Sequence, residues 1–564
     1  MSRTIIDTRI RVHHAAGNRL AIAVGLALCV GALAALVHSA GSARAAGPQP
    51  HPNIIVITTD DQSLSMLSGE YMPKTFKQIA EPGATFFNAV VTTPLCCPSR
   101  ATMLTGQYAH NHGVVTNHYP LLEDKDNLLP VWLRRAGYRT AHVGKFLNAY
   151  EQAVPNRFEV APGWDSWYTT LGATRYFNYV VSANGKRVHF GRGRRNHVTR
   201  VINQKAATLV RRFTADATPL YLQLDHRAPH AETGVDSGGR CGARAVPEEP
   251  NDQQRFSDEP LPITPSFNEA DVSDKPSYIQ ARPPLTGPQI KKIGKRYDCA
   301  LGALSSVDRG VKQIVQALRQ THELNNTVLV FTSDNGYYFG EHRIAKDKTH
   351  PYEEGIRVPL MMRVPPRYLG GRPVVPHVHE QVANIDLAPT FLELAGGQPC
   401  AGDADCRVMD GRSLMPLLRG EAGFPEGRGL LVEYDGASSK GTSSCKYAGI
   451  RALGRMYVEH DAIPDPVTGV CQASEQTELY DLTVDPFQLQ SLNPDGDPVA
   501  ESLRSRLDLL RNCSGVEGRD PAPTDSSTDI PPIEIPPDDS PPTDDPPTEG
   551  PPTDDPPPVR SFCE

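Results

Sequence analysis

Two short apolar runs in this chain end in oxygen-rich pairs. Residues 53–59 (NIIVITT) stop at Asp60-Asp61, and residues 327–333 (TVLVFTS) stop at Asp334-Asn335. Neither run has a helical period, so each reads as a strand buried on both faces, and open α/β sheets bind their ligands at the carboxyl ends of such strands. Four oxygen-bearing side chains on two strand ends suit Ca²⁺ or Mg²⁺ and not a thiophilic metal, although a solvated turn explains either pair taken alone. Between the two runs lies Cys96-Cys97-Pro98-Ser99-Arg100. The sequence ATMLTG after it predicts a helix that stops at Gly106 with Ser99 as its cap, which sets the cysteines at a helix N-terminus, a place that favours anions. By residue type alone the pair could equally be a reactive or disulfide-bonded thiol pair.

Cys96, Pro98, Ser99, Arg100, Leu104, Thr105 and Gly106 resemble the signature of the sulfatase family, Cys-x-Pro-Ser-Arg followed closely by Leu-Thr-Gly. The resemblance implies that a separate formylglycine-generating enzyme oxidises Cys96 to Cα-formylglycine, whose hydrate attacks sulfur. Cys97 takes the variable position. The resemblance also implies a divalent cation, Ca²⁺ or alternatively Mg²⁺, ligated by Asp60, Asp61, residue 96, Asp334 and Asn335. Arg100, Lys145 after Gly144, and Lys348, four residues before Tyr352-Glu353, would then face the sulfate. His230, in Ala228-Pro229-His230, would donate to the leaving oxygen. The chain departs from the family at Gln107, where Arg or Lys is usual, and at Leu147, where many members have His. The doubled cysteine and the later His110-Asn111-His112 look most like the N-acetylglucosamine-6-sulfatase and heparan 6-O-sulfatase branch. The implied activity is hydrolysis of sulfate monoesters of aryl alcohols or sugars, and the implied fold is α/β and alkaline-phosphatase-like. Two rivals are a phosphate or phosphonate ester hydrolase on the same frame and an inactive carbohydrate-binding relative.

The elements that must position these residues are legible in outline. A helix over 131–136 closing at Gly137 leads into the strand RTAHV and so to Lys145. Residues 219–224 (PLYLQL) read as a strand followed by a loop, DHRAPHAE, in which His230 fits the family better than His226. Residues 231–284 are rich in Pro, Gly and Asp, and read as a long insertion beside the active edge that shapes substrate access. Over 288–318 apolar residues recur at three and four, which predicts a long amphipathic helix with Thr286 as a cap, delivering the chain to the Asp334 strand. His342 is a secondary candidate in a Gly-Glu-His turn, and 385–394 is a helix ending at Ala395-Gly396. From Leu430 the pattern turns to short alternating strands and one helix. The expectation is a central mixed sheet flanked by helices, with a smaller antiparallel sheet at the C-terminal end.

The chain of 564 residues is long enough for two packed units with tails. Its formal charge of −8 is concentrated in residues 520–564, where twelve Asp and Glu against one Arg give −11 and leave +3 on the rest. Nothing in the body suggests a nucleic-acid partner. Residues 1–45 read as an export signal: arginines, an apolar run over 20–37, and the small-x-small site Ala43-Arg44-Ala45. The expected product is a secreted protein, with an uncleaved membrane anchor as the competing reading. Export suits the cysteines, of which Cys400 with Cys406 and Cys445 with Cys471 are spaced for disulfides, and Cys513 could pair with Cys563. The expected organisation is a signal over 1–45, a catalytic domain over 46–425, a subdomain over 426–515 and a disordered acidic Pro/Thr/Asp tail over 516–564.

Overall fold

The computed structural model describes residues 51–516 except 215–217, 234–240, 242–245, 258, 422–423, 426, 437–443 and 466. The expected export signal over 1–45 and all but the first residue of the expected acidic tail, including Cys563, lie outside the described residues. Ten strands form the main sheet: β1 (Asn53–Asp60), β2 (Ala84–Phe86), β3 (Arg139–Lys145), β4 (Ser166–Leu171), β5 (Tyr179–Ala183), β6 (Lys186–Phe190), β7 (Leu220–Pro229), β8 (Thr327–Ser333), β9 (Leu360–Arg363) and β10 (His377–Val378). Their order is β10-β2-β9-β8-β1-β7-β3-β4-β5-β6. The five central strands, β8, β1, β7, β3 and β4, all run parallel, so their carboxyl ends emerge on one edge.

The apolar runs are continuous because both faces of these strands are covered. Ile54 and Val56 of β1 and Val328 and Val330 of β8 point into one core with Trp132, Trp167 and Phe391. Ile55, Ile57, Leu329 and Phe331 point into the other, against helices α3 (Val198–Phe213) and α4 (Gly287–Gln320). The first face is covered by α1 (Cys96–Thr105), α2 (Leu129–Arg135) and α5 (Leu387–Ala395). Thr286 stands at the N-cap of α4 as expected, and it closes a capping box with Gln289.

A separate antiparallel sheet contains β11 (Leu430–Tyr434), β12 (Tyr447–Ala452), β13 (Arg455–Pro464) and β14 (Cys471–Asp481), backed by α6 (Pro498–Arg511). Its core includes Tyr338, Ile344 and Tyr352 from the stretch that follows β8. Cys400–Cys406 and Cys445–Cys471 are disulfides, and a third, Cys241–Cys299, which the sequence reading missed, ties the 231–284 insertion to α4. Cys513 is a free thiol among the described residues. No helix among the described residues is long and apolar enough to cross a membrane.

Two expectations need correction. Ser99 does not cap α1: the helix begins at Cys96 with Leu95 at its N-cap, and Ser99 lies inside it, its amide bonded to Leu95 O and its hydroxyl to Asn384 Nδ2. Proline is tolerated in the first turn of a helix, so Pro98 does not prevent α1 from starting at Cys96. The second concerns the stretch after 219–224, which is not a loop: β7 continues to Pro229, carrying Asp225 and Arg227 into the sheet.

Candidate active site

The site lies on the shared carboxyl edge of the parallel strands. β1 ends at Asp60, and Asp61 takes φ 68°, a left-handed conformation uncommon outside glycine, as the chain turns away. Asp334 and Asn335 follow β8, and the amide of Asp61 donates to Asp334 Oδ1 at 3.2 Å. β3 delivers Lys145 through Gly144, where a Cβ would lie 1.8 Å from Asp225 O, so only glycine permits this spacing. The α1 N-terminus brings Cys96 to the same edge. Asn117 Oδ1 accepts from the Cys97 amide at 2.9 Å, serving one of the donors that an uncapped helix start leaves open.

Cys96 Sγ donates to Asp60 Oδ1 at 3.3 Å and accepts from Lys348 Nζ at 2.7 Å. Lys348 Nζ also lies 2.5 Å from Asp61 Oδ1, and Lys145 Nζ lies 2.7 Å from Asp60 Oδ2. Arg100 Nε donates to Asp334 Oδ2 at 2.8 Å, and Nη1 reaches Lys145 O at 3.1 Å and Asp225 Oδ1 at 3.3 Å. Nη2 is buried without a hydrogen-bond partner among the described residues. His230 Nδ1 is 2.6 Å from Ala231 O, a pure acceptor, so Nδ1 carries a proton and Nε2 faces Asp61 Oδ2 at 3.7 Å. The nucleophile candidate, both lysines, Arg100, His230, Asp60, Asp61, Asp334 and Asn335 therefore all converge.

Three buried carboxylates face the buried Lys145 and Arg100 and the half-buried Lys348 here, and the charges set each other's ionisation. Burial opposes the charged form of Asp60, but Lys145, His230, Lys348 and Arg100 together hold its carboxyl well below the usual range. Burial and the neighbouring Asp60 push Asp334 up instead. Burial opposes protonation of Lys145 and Lys348 too, yet Asp60 keeps the first raised and Asp61 the second. Burial, then Asp60, pushes the Cys96 thiol up to about 12, so as a plain thiol it is a poor nucleophile at neutral pH.

The donor set fits a hard cation. Asn335 donates through Nδ2 to Asp61 Oδ1 at 2.8 Å, which leaves its Oδ1 buried with no partner among the described residues. One ligand atom each from Asp60, Asp61, Cys96 and His230 lies within 4.8 Å of the others. The carboxylates of Asp60 and Asp61 and the unpartnered Asn335 oxygen suit Ca²⁺ or Mg²⁺, while Asp334 lies outside this group of four.

His342, the secondary candidate, is buried elsewhere, with Nδ1 2.7 Å from Glu269 Oε2. His226 is also buried, and neither of its ring nitrogens has a hydrogen-bond partner among the described residues. The sequence reading missed a polar row on β7. Tyr221 donates to Gln223, Gln223 to Asp225 Oδ2 at 2.9 Å, and His142 Nε2 meets the same oxygen at 3.0 Å, so Asp225 is fixed before it meets Arg100. Arg227 continues the row, with Nε on Thr170 Oγ1 at 2.9 Å. The signal was present as strict alternation, since Leu220, Leu222 and Leu224 separate Tyr221, Gln223 and Asp225. A cavity of about 390 Å³ opens over residue 96, lined by Lys145, Asn148, Thr170, Arg227 and His230 among others. Of the described residues in the 231–284 insertion, Thr233 alone lines it.

A large mixed sheet with helices on both faces and a small antiparallel sheet make this an alkaline-phosphatase-like α/β fold, with the candidate site at the parallel strand ends. Residues 52–397 match the sulfatase family profile. The chain belongs to the sulfatase family and is a sulfuric ester hydrolase. N-acetylglucosamine-6-sulfatase of Homo sapiens is 31% identical over 513 residues, covering 83% of this chain and 86% of that protein. Among solved structures, one in complex with its substrate D-glucosamine-2-N,6-O-disulfate is similar with a TM-score of 0.65 at 21% identity, over 82% of this chain and 97% of that one. A phosphonate monoester hydrolase from Silicibacter pomeroyi shares the fold with a TM-score of 0.60 at 21% identity, over 82% and 96%.

Proposed function

We propose that this protein is exported and removes sulfate from a sulfated amino sugar such as N-acetylglucosamine 6-sulfate, using formylglycine at position 96. The observation that carries the reading is the convergence on Cys96 of Asp60 at 3.3 Å and Lys348 at 2.7 Å, at the end of a helix and above the cavity. The relative named for N-acetylglucosamine 6-sulfate supports the substrate class. In this reading residues 46–425 are the catalytic domain, 426–515 a subdomain that buttresses it, and 516–564 an acidic tail.

Asp60, Asp61, Asp334, Asn335 and residue 96 would hold the cation, Ca²⁺ or Mg²⁺, which when bound supplies Lewis acidity toward the sulfate oxygens. Formylglycine, made from Cys96 by a formylglycine-generating enzyme, supplies as its hydrate a hydroxyl for attack on sulfur. Lys145 and Lys348 place two positive charges beside residue 96, where they neutralise sulfate oxygens as charge builds. Arg100 is locked by Asp334, Asp225 and Lys145 O beneath the cavity, so it would act on the sulfate through its charge and by holding Asp334 and the end of β3 in place. His230, with its Nδ1 proton committed to Ala231 O, offers Nε2 toward the leaving oxygen, and it is a proton donor to the leaving alcohol only as the imidazolium, protonated at both nitrogens. The net reaction consumes one water and yields the free alcohol and sulfate.

The test is a peptide mass and a substrate panel. Conversion of Cys96 lowers the residue mass by about 18 Da, because sulfur and two hydrogens give way to one oxygen. The peptide holding residue 96 should carry this loss at Cys96 and not at Cys97, and Cys96→Ala should be inactive. Full activity of Cys96→Ala defeats the assignment. A phosphonate ester turned over faster than an aryl sulfate or N-acetylglucosamine 6-sulfate would replace the reading with the phosphonate one, and no turnover of any ester would favour a binding role.

A further inference from the structure

From Ser166 to Ala215 the chain carries ten Lys and Arg and no Asp or Glu. The body as a whole is nearly neutral, so this tract concentrates charge instead of sharing an average excess. The sheet register shows where the charge goes. β4 runs toward the site, and its end, Thr169–Leu171, lines the cavity together with Gly172, Ala173 and Thr174. β5 runs away from the site, pairing Leu171 with Val180, and β6 returns, pairing Tyr179 with Phe190. The segment that leaves β6, with Arg192, Arg194 and Arg195, therefore emerges at the same edge as the cavity. It stays beside the cavity lip: Asn178 N bonds Gly191 O at 3.4 Å, and Val198 N bonds Tyr176 O at 2.9 Å. β6 is two strand spacings, about 10 Å, from the cavity-lining end of β4.

Arg192, Arg194 and Arg195 are exposed and Arg175 is half-buried. None of the four has an ion-pair or hydrogen-bonding partner among the described residues, whereas Arg200, further along, is paired with Glu249. The nearest acids of the lip are otherwise engaged: Glu232 accepts from Tyr176 N and Glu151 from Gly172 N. Inside the lip, Arg227 is 4% exposed and binds only Thr170 Oγ1 and Gly172 O, with no carboxylate in ion-pair range among the described residues. Lysine and arginine on an exposed edge strand commonly serve to block sheet-to-sheet pairing, and that explains Lys186 and Arg187 on β6. It does not explain the three arginines beyond the strand, which have no ladder to protect.

We infer that Arg227, Arg175 and the Arg192–Arg195 segment form a cationic track that leads outward from the cavity and binds the neighbouring negative charges of a polyanionic sulfated glycan. The natural substrate is then an oligomeric chain, of which one sulfated sugar enters the cavity while its anionic neighbours lie along the lip. This rests on the sulfatase reading above and extends it from the reacting ester to the length and charge of the molecule that carries it.

The experiment uses the full chain and two charge-matched variants. Arg194→Ser/Arg195→Ser removes two charges at the site end of β6, and Lys186→Ser/Arg187→Ser removes two at its far end. The probe is a fluorescently labelled sulfated amino-sugar hexasaccharide, with affinity measured by anisotropy over a salt series and turnover followed on a small aryl sulfate. Arg194→Ser/Arg195→Ser should weaken hexasaccharide binding on the order of tenfold at low salt, with a shallower salt dependence. Lys186→Ser/Arg187→Ser should bind nearly as the parent does, and all three should turn over the aryl sulfate equally. Equal losses in both variants would mean that net charge and not placement attracts the chain, and would overturn the track. So would unchanged binding in Arg194→Ser/Arg195→Ser, or a DNA strand of similar charge binding as tightly as the glycan. Aryl sulfate turnover by the parent reports on the sulfatase reading independently, so the two failures are distinguishable.

Discussion

The two lysines of the site, Lys348 on Cys96 and Lys145 on Asp60, are held by different means. Lys145 is the last residue of β3, fixed by ladders to β7 and β4 that pair Gly144 with Asp225 and Lys145 with Thr170. Lys348 sits in an irregular stretch after β8, and its supports come from far along the chain. Tyr278 OH meets His350 Nδ1 at 3.2 Å, Ser444 Oγ donates to Thr349 O at 2.9 Å, Arg451 Nε donates to Glu353 Oε1 at 2.9 Å, and Tyr352 OH donates to Glu478 Oε2 at 3.0 Å. One half of the site thus stands on backbone pairing within the main sheet, and the other is conditional on the C-terminal sheet. Segments held by a few side-chain contacts open at lower free energy than central strands, so residues 337–356 should exchange amide hydrogens well before 139–145.

The largest effects should come from the lysines themselves. Lys145→Ala and Lys348→Ala should each lower kcat on the order of a hundredfold to a thousandfold, the usual consequence of losing a preorganised charge beside the reacting group. Their stabilities should separate them. Lys145→Ala leaves Asp60, which is fully buried, without its nearest counter-ion at a cost of about 3 kcal/mol, whereas Asp61 keeps Asn335 when Lys348 is lost. Near-normal turnover in either variant would remove that lysine from the chemistry.

Arg451→Ala sharpens the comparison because it acts on one side only. Arg451 lies on β12 and reaches Glu353 with Nε at 2.9 Å and Nη2 at 3.1 Å, far from the cavity. Its loss should lower kcat roughly tenfold through displaced Lys348, since small misplacements of a catalytic group are costly. Hydrogen exchange should quicken over 337–356 and stay unchanged over 139–145. Uniform quickening across both segments would show that the two halves form one cooperative unit.

The same division governs what the sequence discloses. Asp60, Asp61, Asp334, Asn335 and Lys145 follow recognisable strands, so strand pattern alone places them on one edge. Lys348 has no such local signal and came only from its spacing to Tyr352-Glu353 in the family resemblance. Asp225, His142 and Arg227 were not found because their partners are set by register between β7, β3 and β4, and the apolar residues of PLYLQL drew attention from the polar ones between them. Cys241–Cys299 and the contacts of the C-terminal sheet to Glu353 join residues too distant for any local pattern to pair.

Acid should loosen the conditional half first. Burial opposes ionisation of Glu478, but His460, Tyr480 and Tyr352 bind it and hold its carboxyl below the ordinary 4.5. A carboxyl depressed by folding contributes in full above pH 4.5, and the contribution is lost as pH falls through the folded value. Below pH 4.5, residues 337–356 should lose protection while 139–145 keep theirs, and Glu478→Gln, less stable by about 2 kcal/mol at neutral pH, should show a flatter acid limb. An equal acid response in both segments would contradict the assignment to Glu478.

The smallest effect tests the joint between the halves. His110, just after α1, places Nδ1 3.1 Å from each carboxylate oxygen of Glu433 on β11 and Nε2 3.0 Å from Cys513 O. A carbonyl only accepts, and a carboxylate prefers a donor, so both ring nitrogens carry protons and the ring is an imidazolium. Burial opposes that charge, but the bonds to Cys513 and Glu433 outweigh it and push His110 up to about 11. A histidine raised by folding contributes fully below its ordinary 6.5, and the contribution is lost as pH rises through the folded value, the reverse of Glu478. His110→Gln should therefore cost about 1 kcal/mol below pH 6.5, since the pair is partly exposed, and progressively less toward pH 11. The measurement is urea unfolding of both proteins across that range. A difference that stays constant or widens with pH would show that His110 acts by packing and not as a charged tie between the end of α1 and the C-terminal sheet.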